Sequence, residues 1–314
     1  MPKMSDIRAV NQKIRIIMKN ILSMLALVVC AGLVSCYGEY DADTAQSYYT
    51  PIPGKRLVAS VKTMFDENGG MNYHEHKFTY DAMGRIKRID SDISIYSPVV
   101  ENYYDTTYYK CNMTTSANYF YRGEELEVAF TVSTEYPDKP KMNRYASSSN
   151  FGIFKSNGVL ERFSVASFDY SATRLQRAYA DGEICYDVAR DNDGNVTGYK
   201  KYLTSTGEVY DDKQGLNYYD YTKNKTNFDF SAYFGYWGVE QCVPIIARPY
   251  RAPFQLAAFG MLGSTSKYLP EGIIEKDADG RDNYIPGTWE LDSQECPVSY
   301  VDTEGRRTVI TYFE

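Results

Sequence analysis

One short unit, Asp-x-x-Gly, recurs along the chain and constrains its fold more than any other feature. It appears as Asp81-Ala-Met-Gly84-Arg85, Asp191-Asn-Asp-Gly194-Asn195, Asp277-Ala-Asp-Gly280-Arg281 and Asp302-Thr-Glu-Gly305-Arg306. Asp66-Glu-Asn-Gly69 and Thr204-Ser-Thr-Gly207 are looser members. In each, the aspartate or threonine oxygen can accept a hydrogen bond from a backbone N–H two residues on, and the glycine can take a positive φ. Together these specify a type I turn followed by a glycine bulge, which is a corner between antiparallel strands. The copies are unequally spaced, so one hairpin device is reused without the fixed period of a solenoid.

The segments between corners read as strands. In Glu125-Leu-Glu-Val-Ala-Phe-Thr-Val132, Leu126, Val128, Phe130 and Val132 fall on one face and Glu125, Glu127, Ala129 and Thr131 on the other. That period of two describes a sheet covered on one side. The final Arg306-Arg-Thr-Val-Ile-Thr-Tyr-Phe313 is apolar on both faces in its second half, which predicts a more central strand. Tyrosine is abundant, 31 of 314 residues, and its ring suits a half-buried pleated surface while its hydroxyl reaches water. A single sheet of so many hairpins must coil. The expected fold is all-β: a large, strongly curved antiparallel sheet or partial barrel, with one short helix packed on it. Pro253 to Gly263 supplies that helix, with Phe254, Ala257, Ala258 and Met261 at helical spacing between a first-turn proline and a C-cap glycine.

The amino terminus gives an address. Lys13, Arg15 and Lys19 precede an uncharged apolar stretch, Ile21 to Val34, too short to span a bilayer comfortably. It ends in Leu33-Val34-Ser35-Cys36, which resembles the lipobox read by bacterial lipoprotein signal peptidase. The resemblance implies a signal peptide over residues 1–35 and lipidation of Cys36. An acidic linker is expected over 36–54 and a single β-rich domain over 55–314. Several acyl chains on one cysteine, at roughly 0.8 kcal/mol per buried methylene, would hold the protein at an outer membrane. Glu39, Asp41 and Asp43 resemble the acidic export signals of Bacteroidetes lipoproteins, which leaves both the cell surface and the periplasmic face open. A formal charge of −7 argues against nucleic acid as a partner. After Cys30 and Cys36 are set aside, Cys111, Cys185, Cys242 and Cys296 remain, with no C-x-x-C spacing. Disulfides or buried thiols are both open, and pairing is not readable.

In the carboxy-terminal half, Asn224-Lys-Thr-Asn-Phe-Asp-Phe230, then Met261-Leu-Gly-Ser-Thr-Ser-Lys-Tyr-Leu-Pro270, then the corners at Asp277 and Asp302 resemble, in that order, the Bacteroidetes lipoproteins grouped as domain of unknown function 4595. Thr79-Tyr-Asp-Ala-Met-Gly84 is similar to YD-type hairpins of bacterial surface proteins. The resemblance spans roughly residues 55–312 and implies a porin-like fold, with no catalytic residue to carry over. Lys276 stands where that family favours tyrosine, which weakens the strand expected before Asp277.

Chemistry is sparse. His74 and His76, the only histidines, would share one face of a strand as metal ligands need, yet no third ligand stands at a diagnostic spacing. The plainer reading is two exposed strand histidines. Asp191 and Asp277 begin acidic runs reminiscent of calcium loops, but glycine comes fourth rather than sixth. No G-x-S-x-G elbow is present, and no cofactor is expected. Tyr233, Tyr236 and Trp237 are the candidate ligand-binding residues, because aromatic faces stack on sugars. The function expected is a membrane-anchored binding or interaction module, with a glycan or an envelope protein as partner. A structural protein pairing with another chain, or a hydrolase with paired carboxylates, are the alternatives. Charged residues interrupt most strands, which argues against a transmembrane barrel and favours a domain tethered to the membrane.

Overall fold

Each described Asp-x-x-Gly unit closes a hairpin by the same pair of backbone bonds and by a carboxylate that accepts from the fifth residue's N–H. At Asp81, Gly84 N–H donates to the Asp81 carbonyl at 3.0 Å and Asp81 N–H to the Arg85 carbonyl at 2.9 Å. The Asp81 carboxylate accepts from Met83 N–H and Arg85 N–H, both at 2.9 Å. Gly84 takes φ +75°, a conformation in which a Cβ would clash with the backbone. The fifth side chain then folds back: Arg85 Nε meets Asp81 Oδ2 at 2.6 Å, Asn195 Nδ2 meets Asp191 Oδ2 at 2.9 Å, and Arg306 Nε meets Asp302 Oδ2 at 2.6 Å. The unit is a corner, as its residues predict.

The computed structural model describes residues 46–67, 70–102, 105–164, 166–180, 184–214, 222–236, 254–276 and 282–313. Their strands are β1 (Val58–Glu67), β2 (Gly70–Tyr80), β3 (Ile86–Asn102), β4 (Asp105–Arg122), β5 (Glu125–Glu135), β6 (Arg144–Phe154), β7 (Leu160–Phe163) and β8 (Ala166–Ser171). They continue as β9 (Arg174–Ala180), β10 (Ile184–Arg190), β11 (Val196–Leu203), β12 (Val209–Gln214), β13 (Gly272–Lys276), β14 (Asp282–Leu291), β15 (Pro297–Asp302) and β16 (Arg307–Tyr312). All sixteen belong to one antiparallel sheet in the order β12 back to β1, then β16 back to β13. Sequence neighbours are sheet neighbours except for β12 and β13, which stand at opposite ends, and the last strand pairs with the first, Val61 opposite Ile310. The sheet stays open between β12 and β13. β16 is central, as its apolar second half predicts. Gly272–Lys276 is a strand in spite of Lys276, since ladder pairing to β14 outweighs one residue's identity. Asp66-Glu-Asn-Gly69 and the Asp277 corner lie wholly or partly outside the described residues.

The curl of the sheet follows from one segment touching distant strands. Phe228 meets Phe78 of β2 at 5.5 Å between ring centroids, and Phe230 meets Trp289 of β14 at 5.1 Å. Leu160 N–H of β7 donates to the Met261 carbonyl, and Asn195 beside β11 accepts from Lys267 and Tyr268 N–H. Strands so far apart in sheet order can reach one segment only if the sheet wraps around it. Phe228, Phe230, Leu256, Met261 and Leu269 are fully buried there and join Val58, Phe78, Leu126, Phe163, Leu175 and Ile310 in one core. Each such side chain contributes roughly 1.5–3 kcal/mol by leaving water. Gly263, at φ +99°, lies so close to β9 that a Cβ would stand 2.1 Å from the Thr173 carbonyl oxygen.

The helix expected over 253–263 is shorter, α1 (Phe254–Ala258), because Gly260 at φ +75° already turns the chain. A π-helical turn at Ala232–Tyr236 packs beside it, and a 3-10 turn at Pro140–Met142 links β5 to β6, so the single expected helix is one of three short turns among the described residues. The compact unit begins at Gln46, ahead of the boundary expected at 55. Tyr49 explains why: it is buried between Tyr121 and Phe154, stacked at 5.9 and 5.6 Å, and its hydroxyl donates to the Phe259 carbonyl.

Candidate functional site

Alternation along β2 sends His74 and His76 inward together, beside Ile93 and Ser91 of β3. They share a face, as expected, but they are buried rather than exposed. His76 Nδ1 lies 2.8 Å from Ser91 Oγ, and the His74 ring meets the edge of Phe65 at 5.2 Å. Loss of solvent disfavours imidazolium here. His74 is pulled down to about 4 by desolvation, and His76 to about 3 by desolvation and by His74. Both are neutral rings in a dry interior near pH 7. Among the described residues no three His, Cys, Asp or Glu side chains gather as a metal site would require.

Tyr233 also points inward. Its hydroxyl is 2.9 Å from Thr63 Oγ1, which itself lies 2.8 Å from Thr308 Oγ1. Its half-buried ring packs on His76, Phe228 and Phe234 at 5.9, 5.7 and 5.2 Å. The side chain of Tyr236, all of Trp237, Cys36 and Cys242 lie outside the described residues. Cys111 of β4, Cys185 of β10 and Cys296, in the turn between β14 and β15, are buried free thiols, and burial raises the first two above the usual thiol range. The Asp191 run is a corner bonded to its own backbone.

The opposite face of the same strands carries a groove of about 360 Å³ across β2 to β6. Ladder register lines up Glu75, Asp92, Thr114, Ser133 and Tyr145 as one row. Lys77, Asp90, Ser116, Thr131 and Ser147 form the next. Neighbours within a row stand on strands about 4.8 Å apart, and the rows are about 6.6 Å apart, two residues along each strand. Tyr73 donates to Asp92 Oδ2 at 3.0 Å, with Lys62 Nζ 4.7 Å from its ring centre. Arg88 binds Asp90 at 2.8 Å, and Glu75 lies within 3.7 Å of both Lys62 and Lys77. Ser116 Oγ is buried on the floor with no hydrogen-bond partner among the described residues. Tyr145 stands at the rim, 71% exposed.

The sequence holds a faint sign of this groove in Thr114-Thr-Ser116 and Thr131-Val-Ser133, where small hydroxyls take outward positions that long charged residues usually fill. Only the register shows that these hydroxyls are neighbours.

No family model matches the chain, so the likeness to domain of unknown function 4595 rests on the motifs alone. No curated protein matches it either. Among solved structures it is similar to a porin-like protein from Bacteroides uniformis, with TM-score 0.41 and 10% identity over 84% of this chain and 100% of that one.

Proposed function

We propose that the chain is a lipid-anchored envelope protein whose folded domain is a binding module, and that it offers its ligand the outer face of β2 to β6. The groove carries this reading: it encloses about 360 Å³, within the size range of small-ligand sites. The inner face is committed to packing, and its histidines are neutral and enclosed. Each groove carboxylate already has a basic or hydroxyl neighbour, which fits recognition better than acid–base turnover. The anchor reading comes from Leu33-Val34-Ser35-Cys36 at the end of an uncharged apolar run.

Two measurements test the reading. Labelled palmitate should enter the wild-type chain in an envelope fraction and not the Cys36→Ala variant; equal labelling refutes the anchor. Binding to an array of polysaccharides and envelope proteins should fall for Tyr145→Ala. Loss with Trp237→Ala and none with Tyr145→Ala would move the site to the aromatic run Tyr233, Tyr236 and Trp237. A second reading has its own observation: among the described residues β12 and β13 are each paired on one side only, and an open edge can accept a strand from a partner. Cross-links confined to β12 or β13 would favour that structural role.

A further inference from the structure

The chemistry of the groove narrows its ligand beyond a binding role, and the following step rests on reading the domain as a binding module. We propose that the groove takes a neutral saccharide, laid over the two polar rows with one sugar face against Tyr145.

Charge excludes several classes first. Glu75, Asp90 and Asp92 face Lys77 across the floor, and Lys62 and Arg88 stand at the margin already held by Glu75 and Asp90. An anionic ligand such as a phosphate or a uronic acid would meet three carboxylates. Backbone pairing excludes an added peptide strand, since β3, β4 and β5 are each paired on both sides along the groove. An apolar ligand would strip water from carboxylates and hydroxyls without replacing their bonds.

A neutral sugar fits what remains. Its hydroxyls donate to the remaining lone pairs of Asp92, whose Oδ2 already accepts from Tyr73, and of Asp90 and Glu75, whose oxygens already face Arg88, Lys62 and Lys77. They also exchange bonds with Thr114, Ser116, Thr131 and Ser133, which donate and accept alike. Ser116 Oγ is the sharpest indicator. A buried hydroxyl lacking a partner is costly, and a ligand hydroxyl reaching the floor satisfies it. The apolar C–H face of a sugar ring needs a flat, exposed, electron-rich surface, and Tyr145 provides one at the end of the first row. The repeating spacing of the rows suits a chain of like units better than a single compact molecule.

The test uses the full-length chain in a zwitterionic detergent that contains no sugar. Neutral hexasaccharides of glucose, mannose, galactose and xylose are titrated by calorimetry, with oligogalacturonate as the acidic counterpart and unchanged thermal melting as the check on folding. At least one neutral chain should bind, and Tyr145→Ala should weaken it about tenfold. Ser116→Val, which keeps the shape but removes the hydroxyl, should weaken it several-fold. Oligogalacturonate should bind poorly and gain affinity in Asp90→Asn/Asp92→Asn. Neutral binding untouched by Tyr145→Ala and Ser116→Val overturns the site. Preference for the acidic chain, or for an envelope protein whose binding the groove variants abolish, overturns the ligand class and leaves the module standing. Indifference of every ligand, including the array above, to the groove variants overturns the module itself.

Discussion

His74-Glu75-His76-Lys77 is four consecutive polar residues of β2 with two opposite fates. The histidines enter the core face beside Phe65, Ser91 and Tyr233 and stay neutral. Glu75 and Lys77 enter the outer groove and stay charged. Residue polarity does not decide this; strand parity does, because a slip of one residue would exchange the two pairs. On the inner face of β2 the polar side chains are uncharged. The outer face tolerates charge because water reaches it.

The comparison breaks most visibly if a charge is placed on the wrong side. His76→Asp puts a carboxylate in a site that is 2% exposed and should cost about 5 kcal/mol or prevent folding. Lys77→Asp, one residue along, should change stability by less than about 1 kcal/mol. Urea denaturation of both variants checks the ratio; equal costs would mean the outer face is also enclosed.

The corners repeat the contrast with one motif in two settings. Asp81 and Arg85 are both almost fully enclosed, whereas Arg306 retains 19% exposure beside Asp302. Asp81→Ala leaves a guanidinium buried without its carboxylate, although the Tyr121 ring remains 4.6 Å away. It should cost about 4 kcal/mol, and Asp302→Ala about 2 kcal/mol, since water can take over part of the arginine's solvation. Denaturant midpoints of the two variants should keep that order.

Acid sharpens the difference between faces without mutation. His74 and His76 titrate at about 4 and about 3 in the fold but near 6.5 in the unfolded chain. The unfolded state therefore takes up protons first, so the stability contribution is full above pH 6.5. It is lost progressively as pH falls from there through the folded values. For His74 alone the loss by pH 4 should be roughly 3 kcal/mol. Unfolding followed from pH 7 to pH 4 should show the decline, and His74→Phe should remove about half of it, His76 supplying the rest. A flat wild-type profile would place the rings in contact with water.

What the sequence made legible was local. The corners, the alternation in β5 and the centrality of β16 each follow from short stretches whose chemistry admits one answer. The burial of His74 and His76 and the assembly of the groove rows depend on which strands become neighbours and in what register. No single stretch carries that information. Phe228 and Phe230 show a different limit. They lie in a segment without strand or helix periodicity, and become core residues only because a sheet of hairpins must curl and its concave side must be filled.

A fourth corner of the same design was hidden by a substitution in the motif itself. At Asp292-Ser-Gln-Glu295-Cys296, Glu295 N–H donates to the Asp292 carbonyl and Asp292 N–H to the Cys296 carbonyl, both at 2.9 Å. The Asp292 carboxylate accepts from Gln294 and Cys296 N–H. Glutamate holds the glycine position at φ +59°. Because the fifth residue is a cysteine, the free carboxylate oxygen pairs with Arg56, from the segment leading into β1. This corner fastens a neighbouring segment where the Asp81 corner fastens itself. Glu295→Gly removes the Cβ from a left-handed conformation that costs roughly 1–2 kcal/mol, and forfeits an exposed ion pair with Lys225 worth less than that. Glycine's greater freedom in the unfolded chain offsets part of the gain. The variant should therefore be more stable by about 0.5–1 kcal/mol, read as a rise in the urea midpoint with unchanged slope. Gly84→Glu, the reverse exchange at φ +75° in the enclosed corner, should lower the midpoint by at least as much. A fall in both would mean that the ion pair, and not the backbone, governs the Asp292 corner.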